Sequence, residues 1–220
     1  MALFPMFVDI SKRICLVTGG GKVALRKVET LLKYGGEVRV ISREICSGIR
    51  ELLPDSSCLV IGREIKARDL EDYIKGAALV VAASGDRQFN QEVSRICREY
   101  RIPVNVVDAP QECSFQFPAV VKKGEISIGI NSGTNSPALT RLIRRKIGEE
   151  LPDYYGDLAD QLGRLRITVR ELFPEEKDRR AILGRAAEEA FSRGRILTDQ
   201  ELKDLVREMT GGETGTRDSG

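Results

Sequence analysis

Asp108 is the carboxylate of this chain whose surroundings best fit proton chemistry. It follows the apolar run of residues 103–107 and opens the segment Asp108-Ala109-Pro110, in a sequence without histidine. Because histidine is the usual acid or base near neutral pH, proton transfer here would fall on carboxylates, Lys, Tyr or Cys. An Asp before Ala-Pro also fits a simple turn. Its own surroundings leave both interpretations open.

A glycine turn lies about ninety residues earlier. Gly19-Gly20-Gly21-Lys22-Val23-Ala24 fits G-x-G-x-x-A between an apolar run and a helical pattern. Gly19 would allow the tight turn, and Gly21 would let backbone N–H groups approach a pyrophosphate at the helix N-terminus. A P-loop is excluded, because Val23 rather than Ser or Thr follows Lys22. The motif predicts dinucleotide binding, and a glycine turn without a ligand is the alternative.

The residues expected to bind the ribose do not include a well-placed acid. The second apolar run ends Ile41-Ser42-Arg43-Glu44. Ser42 could bind a ribose hydroxyl and Arg43 could favour a 2′-phosphate, while Glu44 comes one or two residues late for the acidic role. A solvated loop charge is the alternative for Arg43. The choice between NAD and NADP therefore stays open from these residues.

A second candidate anion site follows a turn-rich loop, residues 131–136. Ser136 is spaced to cap a helix that begins with Pro137. Residues 119–150 carry six basic and three acidic side chains. This excess suits a small polyanionic substrate, since arginine binds carboxylates well. A solvated helix face is the alternative for the arginines. The candidate substrate residues are Ser132, Gly133, Thr134, Ser136, Arg141 and Arg145.

The elements that would position these residues alternate between strands and helices. Predicted strands cover Arg13–Thr18, Glu37–Ser42, Cys58–Ile61, Ala77–Ala83 and Pro103–Val107. Predicted helices cover 22–34, Ala67–Lys75 and Asp86–Tyr100. Such alternation indicates an α/β fold, a Rossmann-like domain with a parallel sheet. Asp108 would then lie at the carboxyl edge of the sheet, where ligands bind.

The pattern changes after residue 112. Apolar runs Phe117–Val121 and Ile126–Ile130, joined by residues 122–125, predict a hairpin. The helix Ala138–Leu151 should follow, and an all-helical segment with a capping box at Thr198 and Glu201 should reach about residue 209. The predicted domains are 1–112, 113–150 and 151–210. The apolar-poor tail 211–220 is predicted to be disordered.

Composition excludes several classes of protein. A net charge of +2 gives no reason to expect nucleic acid or a membrane as partner, and no apolar run approaches the roughly 20 residues that span a bilayer. Five scattered cysteines without a CxxC pair, and without histidine, predict reduced thiols, no metal site and a cytoplasmic location.

Four motifs together resemble a known family. FPMFVDISKRICLVTGGGKVALRK, LVVAASGD, NVVDAPQECSFQFPAVV and NSGTNSPALTRLIRRKI are similar, in order and spacing, to the precorrin-2 dehydrogenase/sirohydrochlorin ferrochelatase family of siroheme synthesis. The resemblance covers roughly residues 3–150. It implies a Rossmann domain, a small region whose hairpin and helix pair across a homodimer, and a C-terminal helical domain.

The resemblance also implies an activity and its residues. The family oxidises precorrin-2 to sirohydrochlorin with NAD, and several members then insert Fe²⁺ at the same site. Asp108 matches the family's essential aspartate, and Ser132 matches a serine of its substrate region. Lys22-Val23 and Arg43-Glu44 match cofactor contacts, which favours NAD, and we add Ala83 and Ser84 to the predicted cofactor residues. Asp108 is expected to lie in a pocket.

Two questions stay open at this point. No motif separates dehydrogenases from members that also chelate Fe²⁺ or Co²⁺, and no methyltransferase domain is expected in this length of chain. A non-catalytic Rossmann-type nucleotide-sensing module is the alternative from another class. It would explain the glycine turn and a dimer, but it gives no reason for NVVDAP or for the basic helix.

Overall fold

The computed structural model describes residues 3–60, 66–133 and 136–210. Contacts between Cα atoms divide the chain into two compact units, Met1–Phe117 and Pro118–Gly220. The finer division into domains 1–112, 113–150 and 151–210 stays a prediction. Ile61, Thr134 and the tail 211–220 lie outside the described residues.

The first unit is built on a five-stranded parallel sheet. Its strands are β1 (Ile14–Thr18), β2 (Glu37–Ser42), β3 (Cys58–Val60), β4 (Leu79–Ala82) and β5 (Val104–Val106), in the spatial order β3-β2-β1-β4-β5. The order reverses between β1 and β4, which is the point where α/β sheets open a crevice for ligands. The predicted Rossmann-like fold is confirmed.

Helices cover both faces of this sheet. They are α1 (Lys22–Lys33), α2 (Ser47–Leu52), α3 (Glu71–Lys75) and α4 (Arg87–Glu99). Residues of β1 alternate between two core clusters: Leu16 joins the cluster that includes α3 and α4, whereas Cys15 and Val17 join the one that includes α1. Strand residues alternate between faces because the backbone is pleated. The two clusters are therefore the two sides of the sheet.

The local sequence explains where α1 forms. Ala24, Val28 and Leu31 are spaced by one helical repeat and are buried against the sheet. The helix ends at Lys33, and Gly35 follows with φ of 74°. A residue with positive φ just beyond a helix is most often glycine, because glycine adopts this conformation without a steric cost.

Several predicted bounds differ from the structure. The strands predicted at 77–83 and 103–107 are shorter, at Leu79–Ala82 and Val104–Val106. The helix predicted over Ala67–Lys75 begins as a 3-10 turn, Ala67–Leu70, before α3. Helix α2, which has six residues and buries Ile49 alone, was not predicted from the sequence.

The second unit begins with an antiparallel hairpin. Its strands are β6 (Ala119–Lys123) and β7 (Ile126–Ile130), and the helix α5 (Pro137–Glu150) follows. The hairpin is confirmed, but its turn is shorter than predicted. Lys122 and Lys123 pair with Ser127 and Ile126 inside the ladder, so the connection is only Gly124-Glu125.

Three longer helices complete the second unit. They are α6 (Tyr154–Leu172), α7 (Glu176–Arg193) and α8 (Asp199–Thr210), and they share one apolar core. The predicted capping box precedes α8: Glu201 N donates to Thr198 Oγ1 at 3.2 Å, and Thr198 N donates to Glu201 Oε2 at 2.6 Å. These bonds satisfy backbone donors that a helix start leaves free.

The helices and the cysteines can be compared with what the composition predicts about membranes and thiols. None of the helices in the described ranges has the length and apolar character needed to cross a membrane. All five cysteines are free thiols; Cys15, Cys97 and Cys113 are buried, and Cys46 and Cys58 are half-buried.

Candidate dinucleotide and acid–base site

The glycine turn after β1 fits tightly between the segments that follow β2 and β4, the strands on either side of β1. A Cβ on Gly19 would lie 2.3 Å from Ala83 O, and a Cβ on Gly20 would lie 1.9 Å from Glu44 O. Only residues without a side chain fit at these two positions. A Cβ on Gly21, in contrast, would meet no atom of the described chain within 4 Å. Gly21 therefore faces open space at the carboxyl edge of the sheet.

The N-terminus of α1 has the properties of an anion site. Gly21 is its N-cap, no side chain caps the helix, and no acidic residue lies in the first turn. A helix start with free N–H groups and no nearby negative charge attracts a phosphate. Lys22 adds an exposed cation there. The open space at Gly21 and the uncapped helix start both fit the pyrophosphate of a dinucleotide.

The end of β2 lies beside this turn. Gly19 N donates to Ile41 O at 2.9 Å, and Cys46 N donates to Gly20 O at 2.9 Å. Residues 42–45 are therefore tied to the glycine turn at both ends. Ser42 is half-buried, and Arg43 and Glu44 are exposed.

The segment after β4 is fixed by Asn90, which was not among the predicted site residues. Asn90 Nδ2 donates to Ser84 O at 2.8 Å, and Ser84 N donates to Asn90 Oδ1 at 3.1 Å. Asn90 is buried on α4, where Val93 and Cys97 continue the same helix face. A polar residue within an apolar helix face was the available signal. Ala83 and Ser84 border the glycine turn, because a Cβ on Gly19 would lie 2.3 Å from Ala83 O and 2.9 Å from Ser84 N. Their contact with a cofactor stays a prediction.

Asp108 lies at the same edge of the sheet, two residues after β5. Val107 N donates to Ala82 O at 3.0 Å, which joins this segment to the end of β4. Asp108 has a φ of 57°, a left-handed conformation that Asp tolerates better than most side chains. The burial expected for Asp108 is wrong for the described chain, in which its side chain is exposed.

One cation of α1 is partly withdrawn from solvent. Lys27 of α1 places Nζ 3.9 Å from the centroid of the Phe117 ring. Burial lowers the pKa of Lys27, and the neighbouring Arg26 charge lowers it further. The aromatic face offsets part of this cost through cation–π attraction.

The candidate substrate residues belong to the second unit. Ser136 Oγ accepts from Leu139 N at 3.2 Å, so it caps α5 as predicted. Ser132 Oγ lies 2.6 Å from Thr140 Oγ1 and 3.1 Å from Ser136 O. Ser132 and Ser136 therefore meet at the start of α5, and Gly133 follows Ser132 with a φ of 68°.

The basic residues behind this loop remain largely exposed. Arg141 and Arg145 are exposed on α5, spaced by one helical repeat. Arg145 has a loose contact of 3.9 Å with Glu149, and such exposed pairs contribute little to stability. Arg144 is used differently: its Nε donates to Val120 O at 3.0 Å and ties α5 to the hairpin.

Metal-binding clusters and surface recesses can be compared with the positions of these residues. Within the described ranges no group of three Cys, Asp or Glu side chains could hold a metal ion. A recess of about 480 Å³ lies on the outer side of α4. Its lining residues are Gln91, Ser94, Arg95, Arg98, Glu99 and Glu112, none of which is a predicted site residue.

The sheet order, the glycine turn and the uncapped α1 define a dinucleotide-binding α/β protein. A family described as "Putative NAD(P)-binding" matches residues 6–119, which include all five strands of the sheet. The chain belongs to this NAD(P)-binding family.

Curated relatives extend the similarity beyond this domain. The siroheme synthase of Ruthia magnifica subsp. Calyptogena magnifica is 36% identical over 222 residues, covering 99% of this chain and 45% of that protein. The siroheme synthase of Pseudomonas aeruginosa (strain UCBPP-PA14) is 41% identical over 181 residues, covering 82% of this chain and 38% of that protein. The chain thus spans less than half the length of either relative.

A solved structure shares the architecture. The protein described as "SirC, precorrin-2 dehydrogenase" superposes with a TM-score of 0.70 over 95% of this chain and 100% of that chain. At 19% sequence identity this similarity shows the fold alone.

Proposed function

We propose that this chain is an NAD-dependent dehydrogenase that oxidises precorrin-2 to sirohydrochlorin in siroheme synthesis. The observation that carries the proposal is the exposed carboxylate of Asp108, at the sheet edge that also holds the glycine turn. The relatives named siroheme synthase, and the fold shared with a precorrin-2 dehydrogenase, support this choice of substrate.

The first unit would hold the cofactor by its pyrophosphate. When bound, NAD⁺ accepts a hydride and becomes NADH. Gly21 and the start of α1 would bind the phosphates, while Ser42 and Glu44 would lie near the ribose and Ala83 and Ser84 would form the opposite wall. Val23 follows Lys22 on the first turn of α1 and would pack beside the same phosphates.

Arg43 could bind the 2′-phosphate of NADP. The preference for NAD over NADP is therefore a separate part of the proposal. The two cofactors differ in one phosphate, which an arginine would bind. The preference rests on the family resemblance of residues 43–44. Comparison of turnover with NAD⁺ and NADP⁺ tests it directly.

Asp108 would act as the general base. Oxidation of precorrin-2 removes one hydride, which bound NAD⁺ would accept, and one proton from the macrocycle. In a chain without histidine, an exposed carboxylate at this edge can accept this proton and pass it to solvent. Substrate binding would cover the carboxylate, which lies open in the free chain.

The second unit would bind the carboxylates of the substrate. Ser132, Gly133 and Ser136 lie at the start of α5, and Arg141 and Arg145 follow on the helix. Thr134 belongs to the same predicted set but lies outside the described residues. Guanidinium groups bind carboxylates in a bidentate manner, which suits a tetrapyrrole that carries several of them.

A homodimer is also part of the proposal. Leu139, Leu142 and Ile143 lie on α5 and are 49%, 52% and 36% exposed. Spacings of three and four residues place them on one face. A second copy of the same helix and hairpin would cover this apolar face.

The test is a two-stage absorbance assay. Purified chain is mixed with NAD⁺ and precorrin-2, and sirohydrochlorin and NADH are followed by absorbance. Asp108→Asn is the decisive variant, because Asn also tolerates a positive φ, whereas Ala would add backbone strain. We expect a loss of turnover on the order of 10²- to 10⁴-fold with unchanged NAD binding.

Other outcomes contradict the proposal in different ways. Near-normal turnover in Asp108→Asn would remove Asp108 from the mechanism. NAD binding without turnover in the unaltered chain would favour the nucleotide-sensing module instead. Addition of Fe²⁺ or Co²⁺ in the second stage, against a control without enzyme, tests whether the chain also inserts metal.

A further inference from the structure

We propose that Cys113 is a positioning residue for Asp108, whose buried side chain fixes the loop that presents the catalytic carboxylate. This inference rests on the proposed function, because it assigns Asp108 a part in the reaction. Cys113 acts through the backbone on either side of Asp108.

The thiol bridges the two ends of the Asp108 turn. Cys113 Sγ accepts a hydrogen bond from Val106 N at 3.1 Å. Val106 lies before Asp108 in the chain. The same sulfur lies 3.3 Å from Val106 O and 3.5 Å from Ala109 O, which lies after Asp108. One side chain thus contacts the backbone both before and after the left-handed residue. Loss of these contacts would free φ and ψ at Asp108 to relax.

The chemistry of a buried thiol suits this position. Burial raises the pKa of the Cys113 thiol, although the hydrogen bond from Val106 N acts in the opposite direction. The neutral thiol keeps its proton and can therefore donate to a carbonyl while it accepts from Val106 N. Serine has the same two capabilities, and alanine has neither.

Neighbouring hydrogen bonds hold the Cys113 end of the loop in place. Val104 N donates to Ser114 Oγ at 2.8 Å, and Asn105 Nδ2 donates to Phe115 O at 3.1 Å. Ser94 Oγ of α4 donates to Glu112 O at 2.7 Å. The segment after Asp108 therefore runs along the outer edge of β5 and against α4. These hydrogen bonds hold Cys113 in place. The contacts of its thiol with Val106 and Ala109 therefore restrict the backbone conformation of Asp108.

The chain offers a matched control for loss of a buried thiol. Cys97 lies on α4, is fully buried, and belongs to the same core cluster as Cys113. Cys97→Ala creates a similar small cavity on the same side of the sheet, away from the Asp108 turn. It separates a general loss of packing from a specific effect on Asp108.

The experiment compares Cys113→Ala, Cys113→Ser and Cys97→Ala with the unaltered chain. We expect Cys113→Ala to lower kcat on the order of tenfold or more, because small displacements of a catalytic group are costly, with unchanged affinity for NAD⁺. Cys113→Ser should recover most of kcat, and Cys97→Ala should retain it. Hydrogen exchange at the Val106 amide should be faster in Cys113→Ala than in Cys113→Ser.

Two results would overturn the inference. One is a kcat for Cys113→Ala within about twofold of normal; the other is an equal loss of kcat in Cys113→Ala and Cys97→Ala. Asp108→Asn in the same series separates this failure from that of the proposed function. If Asp108→Asn turns over normally, or the unaltered chain has no activity, the proposed function fails, and hydrogen exchange still tests the structural role of Cys113.

Discussion

The side chain of Asn90 clamps the backbone of Ser84 from both directions. Its amide donates to Ser84 O and accepts from Ser84 N, at 2.8 and 3.1 Å. Ser84 follows β4 at the crevice beside the glycine turn, and Asn90 is buried on α4. A helix on one face of the sheet thus fixes the backbone that would line the cofactor site.

We predict that Asn90→Ala weakens both the fold and NAD binding. It leaves the Ser84 N–H and C=O without these partners, which costs about 2 kcal/mol of unfolding free energy when the groups are buried. Because the segment also lines the proposed site, NAD affinity should fall severalfold. Denaturant unfolding and calorimetric titration with NAD measure the two effects.

Gln161 provides the control for this prediction. In the second unit, Gln161 Nε2 donates to Leu197 O at 2.6 Å, and Leu197 N donates to Gln161 Oε1 at 3.0 Å. Gln161→Ala removes the same kind of two-way contact, so it should destabilise the protein with no change in NAD affinity. An Asn90→Ala protein that binds NAD normally would show that Ser84 is not part of the site.

Two glycines of the turn, Gly21 and Gly19, should respond differently to alanine. Gly21→Ala adds a Cβ into open space at an ordinary φ of −89°, so unfolding free energy should change by less than about 1 kcal/mol. NAD affinity should fall on the order of tenfold, or about 1.4 kcal/mol, because the Cβ occupies the proposed phosphate cradle. Titration calorimetry on the folded variant measures this.

Gly19→Ala gives the opposite pattern. Its Cβ would lie 2.3 Å from Ala83 O at a φ of 118°, which alanine rarely adopts. We expect a large loss of thermal stability before any question of binding arises. If Gly21→Ala bound NAD as tightly as the unaltered chain, the phosphate would lie elsewhere.

Local sequence patterns were sufficient to predict most of the first unit. The spacing of Ala24, Val28 and Leu31 marks one helix face, and the glycines mark the turn before it. These signals act between residues close in sequence, so they are visible without a structure. The helix α2 was missed because six residues with one buried side chain show no periodicity.

The roles of Asn90 and Cys113 could not be read from the sequence in the same way. Each depends on contacts with a loop whose path is set by tertiary structure. The exposure of Asp108 was not predicted either: its motif indicates a strand end, but neither the left-handed conformation of Asp108 nor the exposure of its side chain. The motifs therefore indicate which residue types form the candidate site. The contacts and the exposure of these residues depend on the three-dimensional fold.

We predict that the apolar face of α5 mediates dimer formation. Leu142→Glu places a charge at its centre and should convert a dimer to a monomer, because burying an unpaired carboxylate is costly. Sedimentation equilibrium measures the mass. Ile167→Glu, at a 65% exposed residue of α6, is the control and should leave the mass unchanged. A monomeric unaltered chain would refute the dimer.

The C-terminal helices should lose stability in acid through Glu201. Hydrogen bonds from Arg195, and then from the Thr198 backbone, hold the pKa of Glu201 well below its usual range. A carboxylate with a lowered pKa in the folded state stabilises it above the unfolded pKa near 4.5, and the contribution is lost as the pH falls towards the folded pKa. Glu201→Gln should therefore lower Tm at neutral pH, and by less in acid.

Thermal unfolding at about pH 7 and about pH 3 measures this difference. Glu188→Gln is the control, because Glu188 is exposed on α7 and no ion pair to it lies within the described residues. It should leave Tm unchanged at both pH values. If Glu201→Gln lowered Tm equally at both, the charge on Glu201 would contribute nothing, and its role would be limited to the neutral hydrogen bonds of the α8 cap.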